Sequence, residues 1–186
     1  MLPRIQNLLK SLEVTRETFW NIHEETGKFL NLLIVSQKYK TVLEIGTSNG
    51  YSGIWLAEAL SHTKGHLYTI ESNLKLRFHL ATENFKKSGL SKYITQIPGH
   101  APQAIPPSTA KPKKFDLVFF DATKHEHISY WKLLKNRINK SGTIITDNAI
   151  SHKKELTQFI KEVQKNKNFT SVILPVGTGL FIAIKN

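Results

Sequence analysis

Hydrophobic side chains recur along this chain with two different periods, and each change of period marks the start of an element. In residues 18–36, T-F-W-N-I-H-E-E-T-G-K-F-L-N-L-L-I-V-S, apolar positions return every three or four residues, the step of one helix face. The first forty residues therefore predict two helices. Short runs rich in branched and aromatic residues then predict strands at 41–45 (T-V-L-E-I), 66–71 (H-L-Y-T-I-E), 93–97 (Y-I-T-Q-I), 115–120 (F-D-L-V-F-F) and 142–147 (G-T-I-I-T-D). Helical patterns separate them at 51–60, 73–88, roughly 125–137 and 152–166. The unbroken run L-V-F-F fits a strand buried on both faces, as in a parallel sheet covered by helices.

The last two strand patterns, F-T-S-V-I-L-P-V and G-L-F-I-A-I-K, are separated by little more than Gly177, Thr178 and Gly179. A connection that short cannot hold a helical crossover, so the two strands pair antiparallel as a hairpin. The expectation is an α/β fold: a doubly wound, seven-stranded, mostly parallel sheet closed by an antiparallel C-terminal hairpin. A chain of 186 residues suits a single domain, with N-terminal helices over 1–36 and a core over 41–186. The segment P-P-S-T-A-K-P-K-K (106–114) reads as a solvated connection.

Composition narrows the function classes. No apolar run approaches the roughly 20 residues of a membrane span. Charges interleaved through M-L-P-R-I-Q-N-L-L-K make a poor secretory signal, and a cytoplasmic location is expected. The chain has no cysteine, which excludes disulfides, thiolate catalysis and Cys-based zinc sites. The formal net charge of +12 is compatible with a polyanionic partner such as RNA. Yet only four of the 26 basic residues are arginine, the better group for bidentate phosphate contacts, and the lysines are scattered.

In open α/β sheets, ligands bind beyond the carboxyl ends of the strands. Those ends carry Glu44–Gly46, Glu71, Gly99–His100, Asp121 and Asp147–Asn148. In V-L-E-I-G-T-S-N-G-Y-S-G (42–53) the glycines do not spell G-x-G-x-x-G, and Glu44 would repel a pyrophosphate. A ligand carrying an ammonium and a sulfonium would instead be drawn to that carboxylate. Glu71 can accept both hydroxyls of a ribose, and Gly46 and Gly50 permit close backbone approach. The plainer alternatives stay open at each position: the glycines also suit a bare strand-to-helix turn, and Glu71 a cap for the helix that follows.

E-I-G-T-S-N-G-Y-S resembles the first motif of the class I S-adenosylmethionine-dependent methyltransferases, in the form used by catechol and caffeoyl-CoA O-methyltransferases. The resemblance continues through F-F-D-A-T-K, T-I-I-T-D-N and V-G-T-G-L-F-I-A-I-K, and upstream through E-E-T-G-K-F-L-N-L-L. It implies a Rossmann-like methyltransferase fold that binds S-adenosylmethionine. Gly46, Ser48, Tyr51 and Ser52 would hold the methionine end of the cofactor and Glu71 its ribose, with His100 and Ala101 near the adenine. Asp121, which also borders the cofactor, would ligate a divalent cation together with Asp147 and Asn148. Lys124 would be nearest the reacting hydroxyl.

The residue types agree with that chemistry. Two carboxylates and an amide oxygen form a hard oxygen site suited to magnesium, manganese or calcium. A cation there would bind two adjacent oxygens of an acceptor and favour the ionised hydroxyl. Lys124 is placed to take or stabilise the proton, so Lys124 and Asp121 are the candidate catalytic pair. Asp121 equally suits a helix cap, and Asp147–Asn148 an ordinary turn. His125 and His127, two apart, are expected at the surface. Trp55 is expected in the core, while Trp20 and Trp131 fit either an acceptor wall or plain packing.

The expected acceptor is a phenolic, catechol-like small molecule. Two other readings remain: O-methylation of a hydroxylated tRNA base, favoured by 14 basic against 6 acidic residues over 101–186, and a non-catalytic cofactor-binding protein. The resemblance also implies a homodimer through the N-terminal helices. The chain is short at its N-terminus and shows no evident insertion to wall an acceptor pocket.

Overall fold

The computed structural model describes residues 1–186. Three helices come first: α1 (Pro3–Glu13), α2 (Arg16–Phe19) and α3 (Glu24–Gln37). Then follow β1 (Thr41–Ile45), α4 (Tyr51–Thr63), β2 (His66–Glu71), α5 (Arg77–Ser88), β3 (Ile94–Pro98) and β4 (Phe115–Phe120). The chain finishes with α6 (His127–Leu134), β5 (Ile138–Thr146), α7 (Lys153–Gln164), β6 (Phe169–Leu174) and β7 (Leu180–Lys185).

The seven strands form one sheet in the order β3-β2-β1-β4-β5-β7-β6. Every pairing from β3 to β5 is parallel, and β7 runs antiparallel to both β5 and β6, as the short connection requires. Strand order runs outward from β1 in one direction and from β4 in the other. The crevice between the carboxyl ends of β1 and β4 is therefore the switch point of the sheet.

Alternation along β4 distributes its side chains to two cores. Leu117 and Phe119 face the layer made by α1, α3, α4 and α5, while Phe115, Val118 and Phe120 face α6 and α7. All five are fully buried, which accounts for the continuous apolar run. At roughly 25 cal/mol per Å² of apolar surface removed from water, such two-sided burial makes the central strands the rigid part of the molecule.

Three expectations change. The helix read over 18–36 is broken: Trp20 adopts a left-handed conformation (φ 55°), ends α2, and turns the chain before α3 begins at Glu24. The acidic Glu24 and Glu25 favour that new start by sitting on the positive end of the helix dipole. β5 begins at Ile138, not 142, because Ile138 already pairs with Phe115 before an irregularity in the register. The polar stretch N-K-S (139–141) inside it carries no strand pattern in the sequence.

His127 is also moved, from surface to interior. Residues 124–126 form a short 3-10 turn, so α6 opens at His127, which is fully buried against Phe120, Tyr130 and Phe159. Burial first, then the nearby Lys124 charge, lowers its pKa to about 3, so the imidazole is neutral. His125 remains exposed, as does most of the 106–114 connection. No helix is long and apolar enough to cross a membrane.

Candidate functional site

A cavity of about 520 Å³ opens over the carboxyl ends of β1, β2, β4 and β5. The loop after β1 forms its floor. Gly46 there has φ 104°, and a Cβ on it would run into the carbonyl oxygen of Asp121, so only glycine lets β1 and β4 approach this closely. Ser48, also left-handed at φ 49°, donates its N–H to Glu71 Oε2 at 2.7 Å and its hydroxyl to the Phe19 carbonyl at 2.7 Å. Asn73 N–H donates to the other Glu71 oxygen at 2.7 Å. Two backbone donors thus fix the Glu71 carboxylate at the cavity edge, and its remaining lone pairs can accept a pair of hydroxyls.

Glu44 does not face the cavity. It is fully buried behind the loop, where the hydroxyls of Ser52 and Thr69 each bond a carboxyl oxygen at 2.5 Å. Burial raises its pKa to about 8 against the opposing effect of those two bonds, so at neutral pH the group is largely protonated. The expected direct attraction of a cationic ligand is therefore corrected: Glu44 acts on Ser52, which does line the cavity. Gly50 and Tyr51 also lie off it. Gly50 backs onto the Phe85 ring, and Tyr51 lines a separate groove with Glu13, Glu24 and Trp55, between α1, α3 and α4. His100 and Ala101 are not among the cavity-lining residues either. His100 is exposed and pairs with Glu126 at 2.9 Å, while Ala101 is buried in the α6–α7 core.

The residues expected at the other end converge. Asp121 N–H bonds the Ile45 carbonyl and Asp147 N–H bonds the Phe120 carbonyl, which places both carboxylates one residue past neighbouring strands. Lys124 Nζ lies 3.2 Å from Asp121 Oδ1. Asn148 follows Asp147 in a left-handed conformation (φ 64°), which its short polar side chain tolerates. All four line the cavity. Burial, and then the charge of Asp121, raises the Asp147 pKa to about 7. Two carboxylates and an amide at the ends of neighbouring strands supply hard oxygen donors. That donor set fits a divalent cation.

The wall opposite was not evident in the sequence. Phe19, Trp20, Asn21, Ile22 and His23 close the cavity, and Arg77, His152 and Thr178 complete it. The turn at Trp20 brings this segment over the site. Trp20 itself stays 71% exposed, with the Arg77 guanidinium 4.5 Å from its ring centroid. Of the two tryptophans proposed as acceptor wall, Trp20 lines the cavity and Trp131 is core, packed edge-on against Phe169. Trp55 is buried, as expected. Trp20 is the one residue of this wall singled out in the sequence, as a fit to either an acceptor wall or packing.

Known proteins with this pattern are consistent in kind. Residues 4–186 match the family described as O-methyltransferase. A catechol O-methyltransferase of Niastella koreensis is 33% identical over 159 residues, which cover 82% of this chain and 70% of that enzyme. A catechol O-methyltransferase of Mycobacterium tuberculosis is 33% identical over 129 residues, covering 69% of this chain and 57% of that enzyme. Among solved structures, the O-methyltransferase TomG of Streptomyces achromogenes, in complex with S-adenosylmethionine, superposes with a TM-score of 0.80. It is 25% identical, with 100% of this chain and 91% of that chain covered.

Proposed function

The chain belongs to the S-adenosylmethionine-dependent O-methyltransferases of the catechol and caffeoyl-CoA type, and from that premise we propose that its acceptor is a small aromatic diol bound at a divalent cation. The observation that supports this reading is the convergence of Asp121, Asp147 and Asn148 on one end of the cavity, beside Lys124. Asp121, Asp147 and Asn148 would hold the cation, with magnesium the first candidate. When bound, it would hold two adjacent acceptor oxygens and lower the pKa of the one that reacts.

The remaining work falls to the chain itself. Glu71 holds the ribose of the donor through the lone pairs that Ser48 and Asn73 leave free. Gly46, Ser48 and Ser52 seat the methionine end. Lys124, next to Asp121, stabilises the acceptor oxygen as its proton leaves. The wall from Phe19 to His23 borders the cavity, and holding oxygen, methyl and sulfur in line lowers the entropic part of the barrier.

Asp147→Ala is expected to lower methyl transfer about a hundredfold or more while S-adenosylhomocysteine still binds. The assay is transfer of labelled methyl to catechols and to bulk tRNA, with magnesium or with excess chelator. Full activity of Asp147→Ala, or of the wild type in chelator, sinks the cation reading. Labelling of tRNA with none on catechols replaces the acceptor.

A further inference from the structure

One hydroxyl links the turn between β6 and β7 to the end of β5. Thr178 Oγ1 donates to Asp147 Oδ1 at 2.9 Å and accepts from Asn148 Nδ2 at 3.0 Å. A hydroxyl has one proton to give. With that proton on Asp147, only the NH₂ of Asn148 can face Thr178, and the amide oxygen is turned away from it. Asp147 likewise spends one oxygen on Thr178 and keeps the other. All three residues line the cavity.

The position of Thr178 does not depend on its side chain. Its carbonyl accepts N–H bonds from Ile150 (3.2 Å) and Ser151 (3.1 Å), and the neighbouring Gly179 carbonyl accepts from Ala149 at 2.8 Å. These backbone bonds clamp the turn onto the loop that follows Asn148. The side chain is thus free to serve a separate purpose.

We propose that Thr178 is a positioning residue for the divalent-cation site, its hydroxyl selecting which atoms of Asp147 and Asn148 are presented to the cation. The inference rests on the cation reading above. Without the hydroxyl, the Asn148 amide rotates between presenting an oxygen, which ligates, and an NH₂, which repels. Asp147 loses the bond that fixes its carboxylate plane. Partners of this kind, one shell out from a metal, commonly carry ten- to a hundredfold in affinity, on the order of the interactions that orient ligands elsewhere.

The test is Mn²⁺ binding to the full chain saturated with S-adenosylhomocysteine, followed by electron paramagnetic resonance. Thr178→Val keeps the methyl and loses the hydroxyl, and Thr178→Ser does the reverse. Thr178→Val is expected to weaken Mn²⁺ by about tenfold or more, and Thr178→Ser to stay within about twofold of wild type, with S-adenosylhomocysteine affinity unchanged in both. Affinity that follows the methyl and not the hydroxyl, or a Thr178→Val protein that binds as tightly as wild type, overturns the proposal. A wild type that binds no more Mn²⁺ than Asp147→Ala removes the cation reading itself, a different failure.

Discussion

Glu44 and Glu71 lie near the ends of neighbouring strands and carry the same side chain, yet their surroundings give them different work. Glu71 meets two backbone N–H donors at the cavity edge, whereas Glu44 meets two hydroxyls in the interior. Both point to the same face, since Glu44 pairs with Thr69 and Glu71 follows two residues on; what separates them is depth, with Glu44 a residue inside its strand and Glu71 two positions nearer the cavity. Glu44 also has a thermodynamic signature. Its folded pKa of about 8 lies above the ordinary 4.5 of a glutamate, so the native state holds a proton that the unfolded chain releases between those values. That contribution to stability is complete below about pH 4.5 and is lost as pH rises through about 8. Replacing Glu44 with Gln is expected to flatten the decline of melting temperature with pH over this range relative to wild type. Parallel melting curves for the two proteins would show that Glu44 carries no such linkage.

At the scale of elements, the sheet was legible because buried strands must be apolar and short connections must be hairpins. β1, β2 and β4 begin and end where the pattern places them. The N-terminal region was not, because its apolar spacing stays helical across a backbone turn that one residue makes. Trp20 has a side chain that fits the pattern and a φ that breaks it. The same turn builds the wall that the sequence seemed to lack. Asp121, Asp147 and Asn148 were found from their strand-end positions and Lys124 from the family resemblance, but Thr178 was not, since its role depends on a contact across 31 residues. Arg77 holds the wall from α5 through its contact with Trp20. An exposed cation–π pair is worth about 0.5–1 kcal/mol. Arg77→Ala should therefore raise amide exchange over residues 20–23 by roughly two- to fivefold, with little change in the central strands. Exchange measured by mass spectrometry would report it, and unchanged protection would mean that the wall stands without Arg77.

For the molecule as a whole, the charge of +12 and the cavity need not serve the same partner. Lysines lie on most exposed helix faces, and the single lysine lining the cavity, Lys124, is engaged by Asp121. Such a field attracts polyanions without selecting them. Bulk tRNA is expected to bind with an affinity that falls about tenfold or more between roughly 50 and 200 mM salt, while methylation of a catechol changes little. Fluorescence anisotropy beside the transfer assay separates the two; salt-resistant tRNA binding would point to a built RNA site instead.

The hairpin turn gives the fold a property that none of its parts has alone. On one side it holds Asp147 and Asn148 through Thr178; on the other, Gly177 backs onto His23 and Thr26, with so little room that a Cβ would sit 2.6 Å from the Thr26 hydroxyl. Its outer strand, β6, is also the edge of the sheet. Occupancy of the cavity and fraying of that edge therefore share one turn. If the two are coupled, reciprocity requires that filling the site slow amide exchange along β6 and that loosening β6 weaken binding.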